Sequence, residues 1–211
     1  MTAIALLGAT GRTGRQVIAQ APARGVKIKA LARDPSKLAG LDLVEVVAGD
    51  VRDEAALRRL FTGIGAVISA LGPRSIRAHV QSGAMDGLIA AMRAREVKRY
   101  VGVTSAAAVL PGERPGSLLR GLLWLSKALV PAYIEDKKAE ADSLAASELE
   151  WTLIRVPGLL VDGEGGSVAV SLTPSRGLPR PAQRQAVAGV MLDAVLERKW
   201  IRQAPFTPGV R

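Results

Sequence analysis

A short apolar stretch, residues 1–7, runs straight into Gly8-Ala9-Thr10-Gly11-Arg12-Thr13-Gly14, and that turn runs straight into the helix-forming Arg15-Gln16-Val17-Ile18-Ala19. A strand, a tight glycine-rich turn and a helix N-terminus in this order make a seat for a pyrophosphate. Gly8 permits the turn after the strand, Gly11 lets backbone approach phosphate with no Cβ between, and Gly14 lets the helix pack close to the sheet. The unpaired N–H groups and positive dipole end of the helix then face the anion. A glycine-rich match alone is weak in a chain with 22 glycines, but the flanking strand and helix supply the context that the motif needs.

The rest of the 211 residues alternates in the same way. Expected strands are Ala3–Leu7, Val26–Ala32, Leu43–Ala48, Ala66–Ala70, Arg99–Thr104 and Trp151–Arg155, with a further one at Val168–Leu172. Expected helices are Thr13–Ala23, Asp53–Phe61 (capped by Asp53), Ile76–Arg95, Ile134–Ser147 and Gln185–Arg198. Continuously apolar strands between helices imply a parallel sheet covered on both faces, and right-handed crossovers make it doubly wound. The expectation is an α/β Rossmann fold in a single domain, with about residues 1–160 as core and about 161–211 completing the substrate side. Length suits one sizeable core rather than two.

Composition narrows the chemistry. There is no Cys, which excludes disulfides, thiol nucleophiles and thiolate-ligated zinc, and His79 is the sole histidine, so no metal site is expected. Acid–base work falls to Tyr, Lys, Ser, Thr, carboxylates or a cofactor. The net charge of +10 raises nucleic acid as a partner, but the basic residues are scattered from Arg12 to Arg211 and aromatics are only 3%, too few for base stacking. Nucleic acid is therefore disfavoured as a partner. No apolar run reaches bilayer length, and no basic segment with a cleavage site precedes the first strand, so a cytoplasmic location is expected.

Ligands of doubly wound sheets sit beyond the carboxyl ends of the strands. Here those ends read Ala32-Arg33-Asp34, Gly49-Asp50-Val51, Ser69-Ala70-Leu71-Gly72, Val103-Thr104-Ser105-Ala106 and Arg155-Val156-Pro157-Gly158. An acid after the second strand suits the ribose 2′-OH of NAD, and a cation there suits the 2′-phosphate of NADP. Arg33 stands there with Lys37 nearby, and Arg12 could reach the same phosphate, so NADP(H) is expected over NAD(H). Asp34 is the competing acid. Asp50 offers its carboxylate to an adenine amino group, or else caps a turn, with Val51 beside it. Ala70, Leu71 and Gly72 let the chain pass close to the nicotinamide ribose.

Together these motifs, with Thr104-Ser105 and Trp151-Thr152-Leu153-Ile154-Arg155-Val156-Pro157-Gly158, resemble the atypical short-chain dehydrogenase/reductases over about residues 1–160. The last segment resembles the branch of the NmrA-like regulators and the biliverdin-IXβ/flavin reductases. The resemblance implies cofactor contacts from Gly8, Thr10, Gly11, Arg12, Thr13, Gly14, Arg33, Asp50, Val51, Ala70, Leu71, Gly72, Thr104 and Pro157. It also implies a catalytic set of Ser105, Tyr133 and Lys137. A spacing of four puts Tyr133 and Lys137 on one helix face, where the Lys lowers the Tyr pKa for proton transfer to a carbonyl. Tyr133 follows Pro131, however, and sits at the helix start.

Three functions follow from that resemblance. The first is an NADPH-dependent reductase of a small planar acceptor, a quinone or flavin. The second is a non-catalytic NADP(H)-binding regulator or assembly factor. The third is a Tyr/Lys-dependent carbonyl reductase or epimerase. Leu110–Pro131 is the natural lid and Ser171–Pro181 the opposite wall. The protein is expected to act as a monomer or homodimer.

Overall fold

Strand β1 (Ala3–Leu7) is buried along nearly its whole length and pairs on both sides, Leu6 lying opposite Ala30 of β2 (Lys27–Ala32) and opposite Ile68 of β4 (Ile64–Ser69). A strand hemmed in by neighbours and covered on both faces must be apolar throughout, and Ala-Ile-Ala-Leu-Leu meets that demand. The computed structural model that supplies this geometry describes residues 3–72, 83–106, 108–111, 113, 120–121, 130–156, 160–163, 170–173 and 181–207. With β3 (Glu45–Ala48), β5 (Arg99–Ser105) and β6 (Glu150–Val156), the strands form a six-stranded parallel sheet in the order β3-β2-β1-β4-β5-β6. The order reverses between β1 and β4, and a crevice opens at such a reversal.

Alternate residues of each strand face opposite sides, so the sheet has two cores. Ile4, Leu6, Ile28, Ile68, Val101 and Ile154 pack against α1 (Arg12–Gln20) and α5 (Arg184–Leu196). Leu7, Leu31, Val67, Tyr100, Trp151 and Leu153 pack in the other core with α2 (Glu54–Leu60), α3 (Met85–Ala94) and α4 (Pro131–Ala146). Asp53 caps α2 as expected, its carboxylate accepting from the N–H groups of Ala55 and Ala56. Helix α4 starts at Pro131, where the missing N–H costs nothing, three residues before the expected start. The long helix expected over Ile76–Arg95 is described from Met85 to Ala94, and residues 73–82, including His79, lie outside the described set.

The C-terminal side departs from expectation. Of Val168–Leu172 only residues 170–172 are described, and Ser171 forms a single antiparallel bridge with Phe206 rather than joining the main sheet. The free edge of β6 is instead covered by residues 202–207. Arg202 and Thr207 donate to the Trp151 and Arg155 carbonyls at 2.7 and 2.9 Å, and Leu153 and Arg155 donate to Gln203 and Pro205 at 3.2 and 2.8 Å. Two short strands, β7 (Leu160–Val161) and β8 (Ala182–Gln183), pair beside the start of α5.

At the head of β1, Gly8 adopts φ +76°, and a Cβ there would lie 2.6 Å from the Ala70 carbonyl oxygen. A Cβ on Gly14 would lie 2.3 Å from the Gly8 carbonyl oxygen. Gly14→Ala is therefore expected to destabilise the protein by about 1–3 kcal/mol through overpacking, read as a lowered urea midpoint. An unchanged midpoint would mean that α1 is not seated this closely.

Candidate functional site

The crevice between β1 and β4 is a cleft of about 310 Å³. Leu7, Gly8, Thr10 and Gly11 line it from the first strand and turn, Leu31, Ala32 and Arg33 from the second strand end, Gly49, Asp50 and Val51 from the third, and Ala70, Leu71 and Gly72 from the fourth. Most of the residues singled out for cofactor contact thus meet in one cavity. Thr13 and Gly14 lie in the first turn of α1, immediately behind it.

The turn leads directly into the N-terminus of α1. Gly11 caps α1 with no side-chain bond, and no acid occupies the first helical turn to compete for its N–H groups. Gly11 N donates to Gly8 O at 3.0 Å and closes the turn. The space that Cβ atoms on Gly8 and Gly14 would fill is taken by backbone, so the turn sits close against the end of β4 and α1 close against the turn.

The charged residues at the rim divide. Arg33 extends from β2 with its side chain more than half exposed and lies 4.0 Å from Asp50. Asp34 turns away to cap the short helix Pro35–Leu38. It accepts from Ser36 N at 3.2 Å and Ser36 Oγ at 2.6 Å, and pairs with Lys37 at 3.5 Å. The Ser36 hydroxyl bond, more than the other contacts, holds the Asp34 carboxyl below its ordinary range. Asp50 caps its own turn by accepting from Arg52 N at 3.1 Å and still lines the cleft. Arg12 reaches Asp162, just after β7, at 3.4 Å, and the same carboxylate takes Arg184 at 2.7 Å. The Arg184 bond is the main reason that the Asp162 carboxyl sits below its ordinary range.

The NAD(P)H-binding family profile matches residues 8–198, which is most of the chain. The chain belongs to the NAD(P)H-binding family. Solved structures agree on the fold. A Rossmann-fold NAD(P)-binding family protein from Shigella flexneri is 24% identical, with 100% of this chain and 98% of that one covered and a TM-score of 0.74. The oxidoreductase ylbE from Lactococcus lactis is 20% identical over 100% and 92% of the two chains, with a TM-score of 0.79. A short-chain dehydrogenase/reductase from Veillonella parvula, solved in complex with NADP, is 19% identical over 98% and 94%, with a TM-score of 0.77. The glycine cradle and the cleft suit the family's dinucleotide.

Thr104 and Ser105 end β5 and are buried, and the Thr104 hydroxyl has no hydrogen-bond partner among the described residues. Pro157 lies outside the described residues. Tyr133 occupies the first turn of α4, and its side chain lies outside the described set. Lys137, one turn further on, is buried. Its ammonium donates to the Val103 carbonyl at 3.3 Å and to Glu140 at 3.2 Å. Glu140, which sequence reasoning missed, also accepts from the Tyr100 hydroxyl at 3.2 Å. The signal for it was the i,i+3 spacing from Lys137. With a buried carboxylate this close, Lys137 is already matched in charge, which lessens the field that it exerts elsewhere. Burial pushes the Glu140 carboxyl up, while Lys137 pulls it back. Burial, with the Glu140 charge second, holds the Tyr100 hydroxyl well above its ordinary value.

Lys137→Met leaves Glu140 buried without its counter-ion and should cost about 3–5 kcal/mol at neutral pH. A carboxyl whose folded pKa is raised contributes stability below its unfolded value and loses it as pH climbs through the folded value. The penalty of the variant should therefore shrink as pH falls towards 4.5, the ordinary value for Glu. Denaturant unfolding of both proteins at neutral and mildly acidic pH checks this, and a gap that stays constant or widens in acid would refute it.

Proposed function

We propose that the protein is an NADPH-dependent oxidoreductase that passes hydride to a small planar acceptor such as a quinone or flavin, in the NmrA-like and biliverdin-IXβ reductase-like branch of the atypical short-chain dehydrogenase/reductases. The observation that carries the cofactor choice is the division of labour after β2. Arg33 lines the cleft, while Asp34, the one acid that could serve a ribose 2′-OH there, is spent on capping Ser36. A guanidinium at this position binds a 2′-phosphate in a fork. Gly8, Gly11 and Gly14 receive the pyrophosphate, and Asp50 and Val51 border the adenine.

When bound, NADPH supplies the hydride. The protein's own part is to orient and to exclude water. Ala70 to Gly72 pass close beneath the nicotinamide ribose, and Thr104 and Ser105 orient the ring or the acceptor. Lys137, matched by Glu140, holds the end of β5 through the Val103 carbonyl. A quinone or flavin can then take its proton from water, and no side-chain acid is required.

Arg33→Ala should weaken NADPH binding about ten- to a hundredfold, as expected for one charge-assisted contact worth about 1.5–3 kcal/mol, and leave NADH binding unchanged. Titration calorimetry with both cofactors reads this, and equal affinity of the native protein for the two would sink the NADPH assignment. Loss of NADPH absorbance with quinones and flavins, undiminished in Tyr133→Phe, is the expected turnover. Tight NADPH binding with no turnover on any acceptor would leave a cofactor-binding regulator, and turnover of carbonyls abolished in Tyr133→Phe would leave a carbonyl reductase.

A further inference from the structure

We propose that Arg155 is a recognition residue for a carboxylate carried by the acceptor, and that Glu113 is the protein's own competitor for it. Arg155 stands near the carboxyl end of β6, on the side of the sheet where ligands of this fold bind. Its side chain is 3% exposed, its guanidinium carbon lies 4.5 Å from the Phe206 ring centroid, and its backbone is fixed on both sides by Pro205 and Thr207. A guanidinium held this firmly presents Nε–H and Nη2–H as a fixed fork, matched to the two oxygens of a carboxylate.

The fork is only half used. Glu113, on the segment after β5, gives one oxygen to Arg155 Nη2. Its other oxygen accepts from its own loop, at Leu110 N, 2.9 Å away. The Glu113 carboxylate is split between two donors and leaves Nε of Arg155 buried with no partner among the described residues. A purely structural ion pair in so buried a place would be expected to close the fork, because unpaired buried donors are costly. A second such atom is next door. Thr104 is the register partner of Arg155 across the β5–β6 pair, so both side chains leave the same face, and the Thr104 hydroxyl is likewise buried with no partner among the described residues. Lys137 comes from α4, which covers that face.

A ligand carboxylate can do what Glu113 does not, placing both oxygens on Nε and Nη2 while Thr104 donates or accepts beside it. Glu113 is 39% exposed, so its displacement returns it to water rather than to the core. The ligand class is an aromatic carboxylate, with the planar ring towards the nicotinamide side. This deepens the acceptor half of the reading above and rests on it for calling the ligand an acceptor.

Titration calorimetry of the full chain with naphthoate and with its neutral isostere naphthamide tests the proposal without turnover. Naphthoate should bind the native protein more tightly than naphthamide. Glu113→Gln should tighten naphthoate about tenfold, or about 1.4 kcal/mol, and leave naphthamide unchanged. Arg155→Met should abolish the preference for naphthoate. If Arg155→Met fails to fold, Glu113→Ala carries the same expectation as Glu113→Gln. Equal affinity for the two probes, or no gain for naphthoate in the Glu113 variants, overturns the proposal. Failure of NADPH turnover alone overturns the redox reading and leaves this binding result standing.

Discussion

One carbonyl oxygen governs the head of the molecule. Gly8 O closes the turn by accepting from Gly11 N, and the same atom lies where a Cβ on residue 14 would have to be. Helix α1 can approach only because Gly14 has no side chain, while the bare Gly8 lets the Ala70 carbonyl at the end of β4 come close. That approach sets the direction of α1, and α1 in turn packs along α5, with Gln20 bonded to the Gln185 carbonyl and Arg24 paired to Asp193. The cleft at the strand reversal is what remains once this contact is made. The uncapped N-terminus of α1 is thus brought to the rim of the cleft by packing.

The two faces of the sheet carry different burdens. The face under α1 and α5 is mainly Ile, Leu, Val and Ala, with Arg99 buried among them and donating to the Ala194 and Lys199 carbonyls. The face under α4 gathers polar groups, namely Tyr100 and Thr104 of β5, Arg155 of β6, and Lys137 and Glu140 of α4 itself. Burying charge is costly unless it is paired, and Lys137 with Glu140, and Arg155 with Glu113, meet that condition. Chemistry in this architecture is placed at strand ends, where backbone amides and carbonyls of the sheet run out and side chains can supply what is missing.

The sheet and the glycine turn were legible in the sequence because each rests on a local rule. The apolar run Ala3–Leu7 and the β-branched and aromatic residues of Trp151–Ile154 separate from helical stretches, and Gly8 to Gly14 fits between a strand and a helix. The roles of Arg33 and Asp34 were not separable by spacing, since adjacent residues share a neighbourhood and only the Ser36 cap distinguishes them. Glu140 was hidden because its meaning depends on Tyr100, which lies on a strand forty residues earlier. The tail over β6 was hidden for another reason. Its Pro205 reads as a strand breaker, yet that residue needs only to offer its carbonyl, and at a sheet edge a missing N–H is harmless. Strands β7 and β8, two residues each, lie below what any periodicity can register.

That tail has a consequence for how the molecule is made. Residues 202–207 close the edge of β6 and set Phe206 under the Arg155 guanidinium, although about fifty residues of chain separate the two. During synthesis β6 emerges long before its cover, so for that interval the growing chain presents a raw strand edge and an unsheltered cation. The cleft at the strand reversal is drawn from the first seventy-two residues and can take shape while the edge of β6 is still uncovered.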